Sequence, residues 1–289
     1  MPITPPADLG VVQRNAQRLT AAIARFRPAI IPLFSLKSGC PDLIGTGVGL
    51  RAGPRRLILT ATHVLRGFTG DTIHLPVEDG WCPIAGDTHF AATRGIRNPD
   101  DDTVDAALLA IDEESAAAWR GWLVPTDLFP GCPARSADRF VVAGFPRSEV
   151  RMGATGKRVI PRAVRYYGHA VAESRYPPVL ADPGVHIAIA FRRRTIVEDG
   201  QLVNPPPLYG TSGGMLIWAP GIRSPSRIGD NRLAGILIEE HGAPNHLLLS
   251  TRIDVFLALI HDRLPELRPF VPLPRTVPRR RRWSRPRRS

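Results

Sequence analysis

Ser212 sits in the run Gly210-Thr211-Ser212-Gly213-Gly214. A serine hydroxyl is a poor nucleophile at neutral pH and needs an adjacent base. It also needs donors aimed at the negative charge that develops on an attacked carbonyl. Glycines on both sides of Ser212 permit positive φ and let a substrate carbonyl approach the main chain. His63, in LILTATHVL, is a candidate base, and Asp105, in TVDAALLAI, is a candidate carboxylate to orient it. Taken singly, each has an ordinary explanation. Ser212 could sit in a glycine-rich hairpin, His63 could be a satisfied core or surface residue, and Asp105 could be a turn residue beside Asp100-Asp101-Asp102. Together, in the order His, Asp, Ser, they are the parts of an activated nucleophile.

Such groups must be held by rigid elements. His63 ends the strand-like run Leu57 to Thr60 and opens a short turn, and a strand end places a base firmly while letting it reach a pocket. Asp105 stands at the mouth of the apolar run Ala106 to Ile111, and Gly213 to Trp218 continues as a strand after the serine. From Ala29 onward, short apolar runs alternate with Gly, Pro and Asp clusters, the texture of a sandwich or barrel. The run around Ser212 also fits the G-x-S-x-G elbow of α/β-hydrolases. Order alone does not exclude that fold, because Asp230, Asp254, His241, His246 and His261 follow the serine. The texture argues against it, since an elbow joins a parallel strand to a long helix.

Helical spacing appears at both ends. Leu9, Val12, Leu19, Ile23 and Phe26 mark an amphipathic helix within residues 7–27, which Pro28 should stop. It would pack on the barrel surface or dock a partner protein. Residues 254–264 read as a closing helix with Asp254 as its N-cap. Residues 112–139 and 192–209 are Pro- and Arg-rich connections, and residues 268–289 read as a disordered Pro/Arg-rich tail.

With 289 residues and 43% hydrophobic residues, the chain can bury a sizeable core. No apolar run approaches the roughly 18 residues of a membrane span, so no membrane association is expected. The N-terminus lacks a basic cap followed by an apolar stretch, and the expected location is cytoplasmic. Cys40, Cys82 and Cys132 are odd in number and far apart, which gives neither a disulfide framework nor a zinc spacing; they are expected reduced, as small buried apolar residues. There is no HExxH and the eight histidines are scattered, so neither a metal nor an organic cofactor is expected. Residues 275–289 hold eight arginines and no acid against a formal net charge of +12, so the rest of the chain is only mildly basic. Arg279, Arg280, Arg281, Arg282, Arg285, Arg287 and Arg288 would make salt-dependent contact with nucleic acid or an acidic surface, with Trp283 available for stacking. A solvated extension is the plainer reading.

The three segments resemble those of the trypsin-like (chymotrypsin-fold) serine peptidases, in particular bacterial members. LTATH is similar to the T-A-A-H segment around that family's catalytic histidine, with Thr62 in place of its second Ala. VDAALLAI is similar to its D-x-A-L-L segment, and GTSGG to its G-x-S-G-G segment. Gly45-Thr46-Gly47 resembles the hairpin before the histidine, Val142 to Pro146 a strand of the second barrel, and Leu233 to Ile238 the strand bordering the substrate cleft. The resemblance covers about residues 29–262 and implies an all-β fold of two antiparallel six-stranded β-barrels. The first barrel would span about 29–111 and the second about 140–253, joined by 112–139. An N-terminal helical extension (1–28) and a C-terminal helix would flank them. It further implies Ser212 as nucleophile, His63 as general base and Asp105 as its orienting partner, with the N–H groups of Gly210 and Ser212 as oxyanion hole. Thr211 stands where members activated by a freed N-terminus carry an aspartate, so that activation chemistry is not implied.

Residues 150–209 match the family poorly, and the base of the specificity pocket cannot be placed in them. Gly235, Ile236, Leu237, Ile238 and Glu239 would line the substrate cleft. Glu239 and Glu240 would favour basic substrate side chains; a solvated loop is the plainer reading of them. The expected function is a serine endopeptidase acting on a protein or peptide. The alternative is a non-catalytic protease-fold scaffold or binding module, with the helix and Arg-rich tail as docking elements.

Overall fold

The computed structural model describes residues 17–37, 40–66, 72–77, 80–91, 104–152, 159–176, 181–191, 196–198, 201–203, 206–242 and 246–275. Residues 7–16 of the expected N-terminal helix and all seven of the tail arginines from Arg279 on lie outside these.

Strict alternation builds the first sheet. In β3 (Arg55–Thr60), Leu57 and Leu59 enter one core while Ile58 enters another. In β7 (Ala107–Ile111), Leu108 and Ala110 share the first core, and Ala107, Leu109 and Ile111 the second. A strand's two-residue side-chain period produces this sorting. The sheet also contains β1 (Ile30–Lys37), β2 (Cys40–Ala52), β4 (Ile73–Val77), β5 (Gly80–Pro83) and β6 (Gly86–Phe90), in the order β5-β4-β1-β2-β3-β7-β6. Its pairings are antiparallel. β5 and β6 lie at opposite ends of that order, yet only Ile84 and Ala85 separate them in the chain. They are two halves of one kinked strand, which brings the sheet's edges together. Ile84 N–H donates to Ile73 O (2.7 Å) on one side of the kink, and Ala85 O accepts from Asp112 N–H (3.1 Å) on the other. The seven strands are therefore the six of a closed barrel with one strand broken.

The second sheet uses β8 (Arg139–Gly144), β11 (Val164–His169), β12 (His186–Ala190), β15 (Met215–Trp218), β16 (Arg232–His241) and β17 (Leu247–Arg252), in the order β11-β8-β15-β16-β17-β12. A bridge between Ala170 and Ile189 joins its two edges. A Cβ on Gly168 would come within 2.5 Å of Ala190 O, so β11 and β12 approach closely there. Two small hairpins, β9 (Val150–Met152) with β10 (Val159–Pro161) and β13 (Ile196–Glu198) with β14 (Gln201–Val203), lie within the region whose family match was poor.

The connecting segment is laced to both sheets: Leu123 bridges Leu50 of β2, and Leu128 bridges Leu233 of β16. The helical turn at 17–23 (α1) buries Ala22 and Ile23, and Phe26 beyond it is also fully buried. Burying such a phenylalanine contributes roughly 1.5–3 kcal/mol. Asn231 Nδ2 donates to Ala22 O (3.0 Å), and Arg25 is 3.4 Å from Asp127, so this segment is packed against the body of the protein. The short helix α2 (Thr62–Arg66) follows β3, α3 (Glu113–Ala117) opens the connecting segment, and α4 (Ile253–Arg263) closes the domain.

Three expectations need correction. Asp254 does not cap α4; Arg252 holds the N-cap position without a side-chain bond. The buried Asp254 carboxylate instead accepts from Gly131 N–H (2.9 Å) and Arg275 N–H (2.7 Å), tying the connecting segment to the C-terminal strap. Residues 268–275 are accordingly ordered, with Val271 buried and Arg268 Nε donating to His261 O (2.9 Å); apolar contact and backbone bonds offset their Pro- and Arg-rich composition. Of the three free cysteines only Cys132 is buried, Cys40 being exposed and Cys82 partly so. Burial pushes the Cys132 thiol up to about 12.

Candidate active site

His63 is the second residue of α2. The first N–H groups of a helix have no partner within it. Asp105, 42 residues away, supplies one: its Oδ1 accepts from His63 N–H at 3.0 Å. The other carboxylate oxygen, Oδ2, bonds His63 Nδ1 at 2.5 Å. One carboxylate thus fixes both the backbone and the ring of the histidine. With Nδ1 bonded to a carboxylate, the neutral ring carries its proton there and leaves Nε2 as acceptor. Asp105 is anchored in turn, because its carbonyl accepts from the buried Thr251 hydroxyl of β17 (3.3 Å). Burial disfavours charge on His63. The hydrogen bond and charge of Asp105, with a further contribution from Glu239, outweigh it and hold the imidazole above its ordinary value.

Ser212 enters from the other sheet, in the turn just before β15. Gly210 and Gly213 have φ of +92° and +86°, conformations that favour glycine. A Cβ on Gly213 would lie 1.7 Å from Thr46 O and 2.3 Å from Thr60 Oγ1, so the turn needs glycine for space as well as for conformation. Thr46 on β2 is the fastening point. Its N–H donates to Ser212 O (2.8 Å) and its hydroxyl donates to Gly210 O (3.1 Å). The same hydroxyl accepts from Phe145 N–H (3.0 Å), while Thr46 O accepts from Thr60 Oγ1 (2.7 Å). A fully buried threonine of the first barrel therefore clamps the serine turn of the second. Nothing in the sequence reading pointed to this role, although Thr46 lies in the Gly45-Thr46-Gly47 run. Thr211 is also buried, and its hydroxyl donates to Leu208 O (2.5 Å).

His63, Asp105 and Ser212 line one open cleft of about 560 Å³. Pro207, Leu208, Tyr209, Leu237, Ile238, Glu239 and Glu240 complete most of its wall. The Ser212 hydroxyl donates to Ile238 O at 3.2 Å. That carbonyl is accessible because β16 bulges there: Leu237 pairs with Ser250 and Glu239 with Leu249, leaving Ile238 out of the ladder. Tyr209, 70% exposed, forms part of the rim. Its carbonyl accepts from Arg147 N–H (2.8 Å), and the Arg147 guanidinium lies over its ring and 2.6 Å from Asp42. Among the described residues, neither Gly210 N–H nor Ser212 N–H has an acceptor.

Of the expected cleft residues, Leu237, Ile238 and Glu239 line the wall, as does Glu240. Gly235 and Ile236 do not. Gly235 sits in the ladder between Leu216 and Arg252, and Ile236 is fully buried opposite Met215. The strand twists its first half into the core, and only the residues from 237 onward reach the opening. Glu239 Oε2 also lies 3.2 Å from His241 Nε2.

Two closed antiparallel barrels with a cleft carrying His, Asp and Ser define the chymotrypsin-like double-barrel fold of trypsin-like serine proteases. Comparison with solved structures agrees. The chain is similar to GrC, with TM-score 0.52 and 18% identity, covering 83% of this chain and 96% of that one. It is similar to neuropsin, a serine protease expressed in mouse brain, with TM-score 0.53 and 16% identity over the same shares of the two chains. No family model and no curated protein matches the sequence. The likeness lies in the fold.

Proposed function

We propose that this protein is a serine endopeptidase that cleaves peptide bonds through an acyl-enzyme on Ser212. His63 Nε2 takes the hydroxyl proton as Oγ attacks the scissile carbonyl, and later gives that proton to the leaving amine. Asp105 holds the ring in the required tautomer and stabilises the imidazolium that forms. The N–H groups of Gly210 and Ser212 receive the oxyanion. Water then repeats the sequence on the ester, releasing the acid and restoring the hydroxyl. The observation that carries this reading is the 2.5 Å bond between His63 and Asp105 at the edge of the cleft that Ser212 lines.

The protein or peptide substrate would lie along the wall from Leu237 to Glu240. Near the serine that wall is apolar, with Pro207, Leu208 and Ile238, while Glu239 and Glu240 supply its acid groups. Basic substrate side chains would be favoured where they reach these carboxylates. The competing reading is a protease-fold scaffold without catalysis, with the tail contacting nucleic acid or an acidic partner. The Ser212 hydroxyl bonded to Ile238 O favours it, since the nucleophile must turn away from that carbonyl before it can act.

Labelling by a fluorophosphonate, compared between the natural protein and Ser212→Ala, separates the two. Labelling confined to the natural protein supports the peptidase. Absence of labelling in both, with no cleavage of a peptide library, supports the scaffold. The cut sites in the library report which side chains the cleft accepts.

A further inference from the structure

Gly210 is buried, yet among the described residues its N–H has no acceptor. A buried N–H left unpaired is rare in a folded chain. Packing closes most directions around it. A Cβ on Gly210 would meet Arg147 N, Leu43 Cδ2 and Phe145 O at 3.0, 3.0 and 3.1 Å, and its carbonyl is taken by the Thr46 hydroxyl. Its chain neighbours Tyr209 and Thr211 both line the Ser212 cleft, so the cleft is the open side. Gly210 is the third residue of a turn closed by Thr211 N–H on Leu208 O (2.8 Å), and its φ of +92° makes that turn type II. Turning over the central Tyr209–Gly210 peptide would give a type I turn with the same closing bond, and would put a carbonyl where the N–H stands. The closing bond therefore does not choose between the two forms.

A second bond does choose. Tyr209 O accepts from Arg147 N–H at 2.8 Å. In a trans peptide the carbonyl and the N–H point in opposite directions, so fixing Tyr209 O on Arg147 aims the Gly210 N–H away from it. Arg147 is in turn fastened to the first barrel. It opens the 3-10 turn Arg147–Glu149, whose first N–H has no partner within the turn and is free for Tyr209 O. Two residues earlier, Phe145 N–H donates to the Thr46 hydroxyl of β2 (3.0 Å). The Arg147 guanidinium lies 2.6 Å from Asp42, also on β2, and over the Tyr209 ring, 5.7 Å from its centroid. The tie runs from the barrel that carries His63, through Asp42 and Arg147, to the peptide beside Ser212.

We propose that Arg147 is a positioning residue for the oxyanion hole, with Asp42 holding it in place. Its main-chain N–H keeps the turn in the form that presents Gly210 N–H to the cleft, and its side chain keeps that turn in register with β2. This role presupposes the peptidase reading, in which the N–H groups of Gly210 and Ser212 receive the oxyanion. The Arg147 side chain is half exposed, so the ion pair contributes less than the main-chain bond.

The test compares Arg147→Pro, which removes the N–H, with Arg147→Ala and Asp42→Asn, which keep it. Proline suits the position: it is the first of its turn, and Pro146 before it has ψ of 144°, the extended conformation that a following proline requires. In peptide cleavage Arg147→Pro should lower kcat about 10- to 100-fold with KM little changed, somewhat less than outright loss of an oxyanion donor. Arg147→Ala and Asp42→Asn should lower it about threefold. A peptide aldehyde, whose carbonyl carbon Ser212 Oγ attacks to place an oxyanion in the hole, should lose affinity in proportion to kcat. The matching peptide alcohol, which forms no such adduct, should bind all variants alike. Equal loss for aldehyde and alcohol would mean general damage to the cleft and would overturn the proposal, as would an unchanged kcat in both Arg147 variants. Thermal unfolding checks the fold; should proline unfold the chain, the aldehyde-to-alcohol ratio of Arg147→Ala decides. Crystal structures of the natural protein and Arg147→Pro read the peptide directly. A Tyr209–Gly210 peptide turned over in the variant supports the proposal, and one that keeps its orientation overturns it. That readout holds even if the natural protein cleaves nothing, a result that counts against the peptidase reading instead.

Discussion

His63 and Ser212 reach one cleft from opposite barrels, but they are held differently. On the first barrel the arrangement is complete. Asp105 bonds both the main chain and the ring of His63, and Thr251 steadies Asp105 from across the junction. On the second barrel the main chain is equally fixed, through Thr46 and the two left-handed glycines, but the Ser212 side chain is bonded to its own sheet at Ile238. In the proposed mechanism the imidazole is already held by Asp105, whereas the hydroxyl must leave Ile238 O before it acts. A hydroxyl turns about a single bond at little cost, whereas turning the imidazole would break its bond to Asp105. Rigid placement of the ring and freedom of the hydroxyl is therefore the economical division.

The proposed chemistry would break first at the serine. Ser212→Ala should reduce peptide turnover on the order of 10⁶-fold while leaving the melting temperature close to that of the natural protein, as measured by steady-state cleavage and thermal unfolding. Next comes the base. Asp105→Asn should lower kcat about 10⁴-fold, because the amide no longer enforces the useful tautomer. If kcat barely moves, the His63–Asp105 bond has no part in turnover.

The contrast between fixed main chain and free side chain is tested by Gly213→Ala. A methyl there meets Thr46 O and adopts an unfavourable φ, so the serine turn should be displaced, with loss of both stability and labelling. Thr46→Val tests the same clamp more gently. It leaves Phe145 N–H and Gly210 O without their hydroxyl partner and should cost about 1–3 kcal/mol in chemical unfolding.

The smallest effect concerns pH. His63 must be neutral to accept a proton, and its pKa lies above the ordinary 6.5. Activity should therefore fall on acidification through a value higher than 6.5, measured as the acid limb of kcat/KM. Glu239 contributes to that rise, so Glu239→Gln should move the limb to lower pH. An unchanged limb would mean that Glu239 is screened by solvent from the imidazole.

The three residues of the cleft and the groups that hold them differ in how visible they were in the linear chain. His63, Asp105 and Ser212 each lie in a short run with its own local signature, a strand end or a glycine turn, so their types and order could be read directly. The barrels were legible for a related reason: strands such as β3 and β7, buried on both faces, are short continuous apolar runs bounded by turn residues, and that texture survives in the sequence. Thr46 could not be identified this way. Apart from Thr60, its partners, Gly210, Ser212 and Phe145, are about 100 or more residues distant, and a buried threonine in a strand has no distinctive spacing. The bulge at Ile238 was likewise hidden, and so was the strand's twist, which leaves Gly235 and Ile236 in the core rather than at the cleft.

What the linear chain determined by itself was the set of local elements and the chemical types they carry, because strand period, glycine freedom and helix spacing act over a few residues. Only the tertiary structure decided which groups meet. The kinked strand that closes the first barrel, the Thr46 clamp and the carboxylate of Asp254 bound to two distant segments all come from contacts between remote parts of the chain. Those contacts form where buried polar groups must find partners, and that requirement is met in space without leaving a pattern in the order of residues.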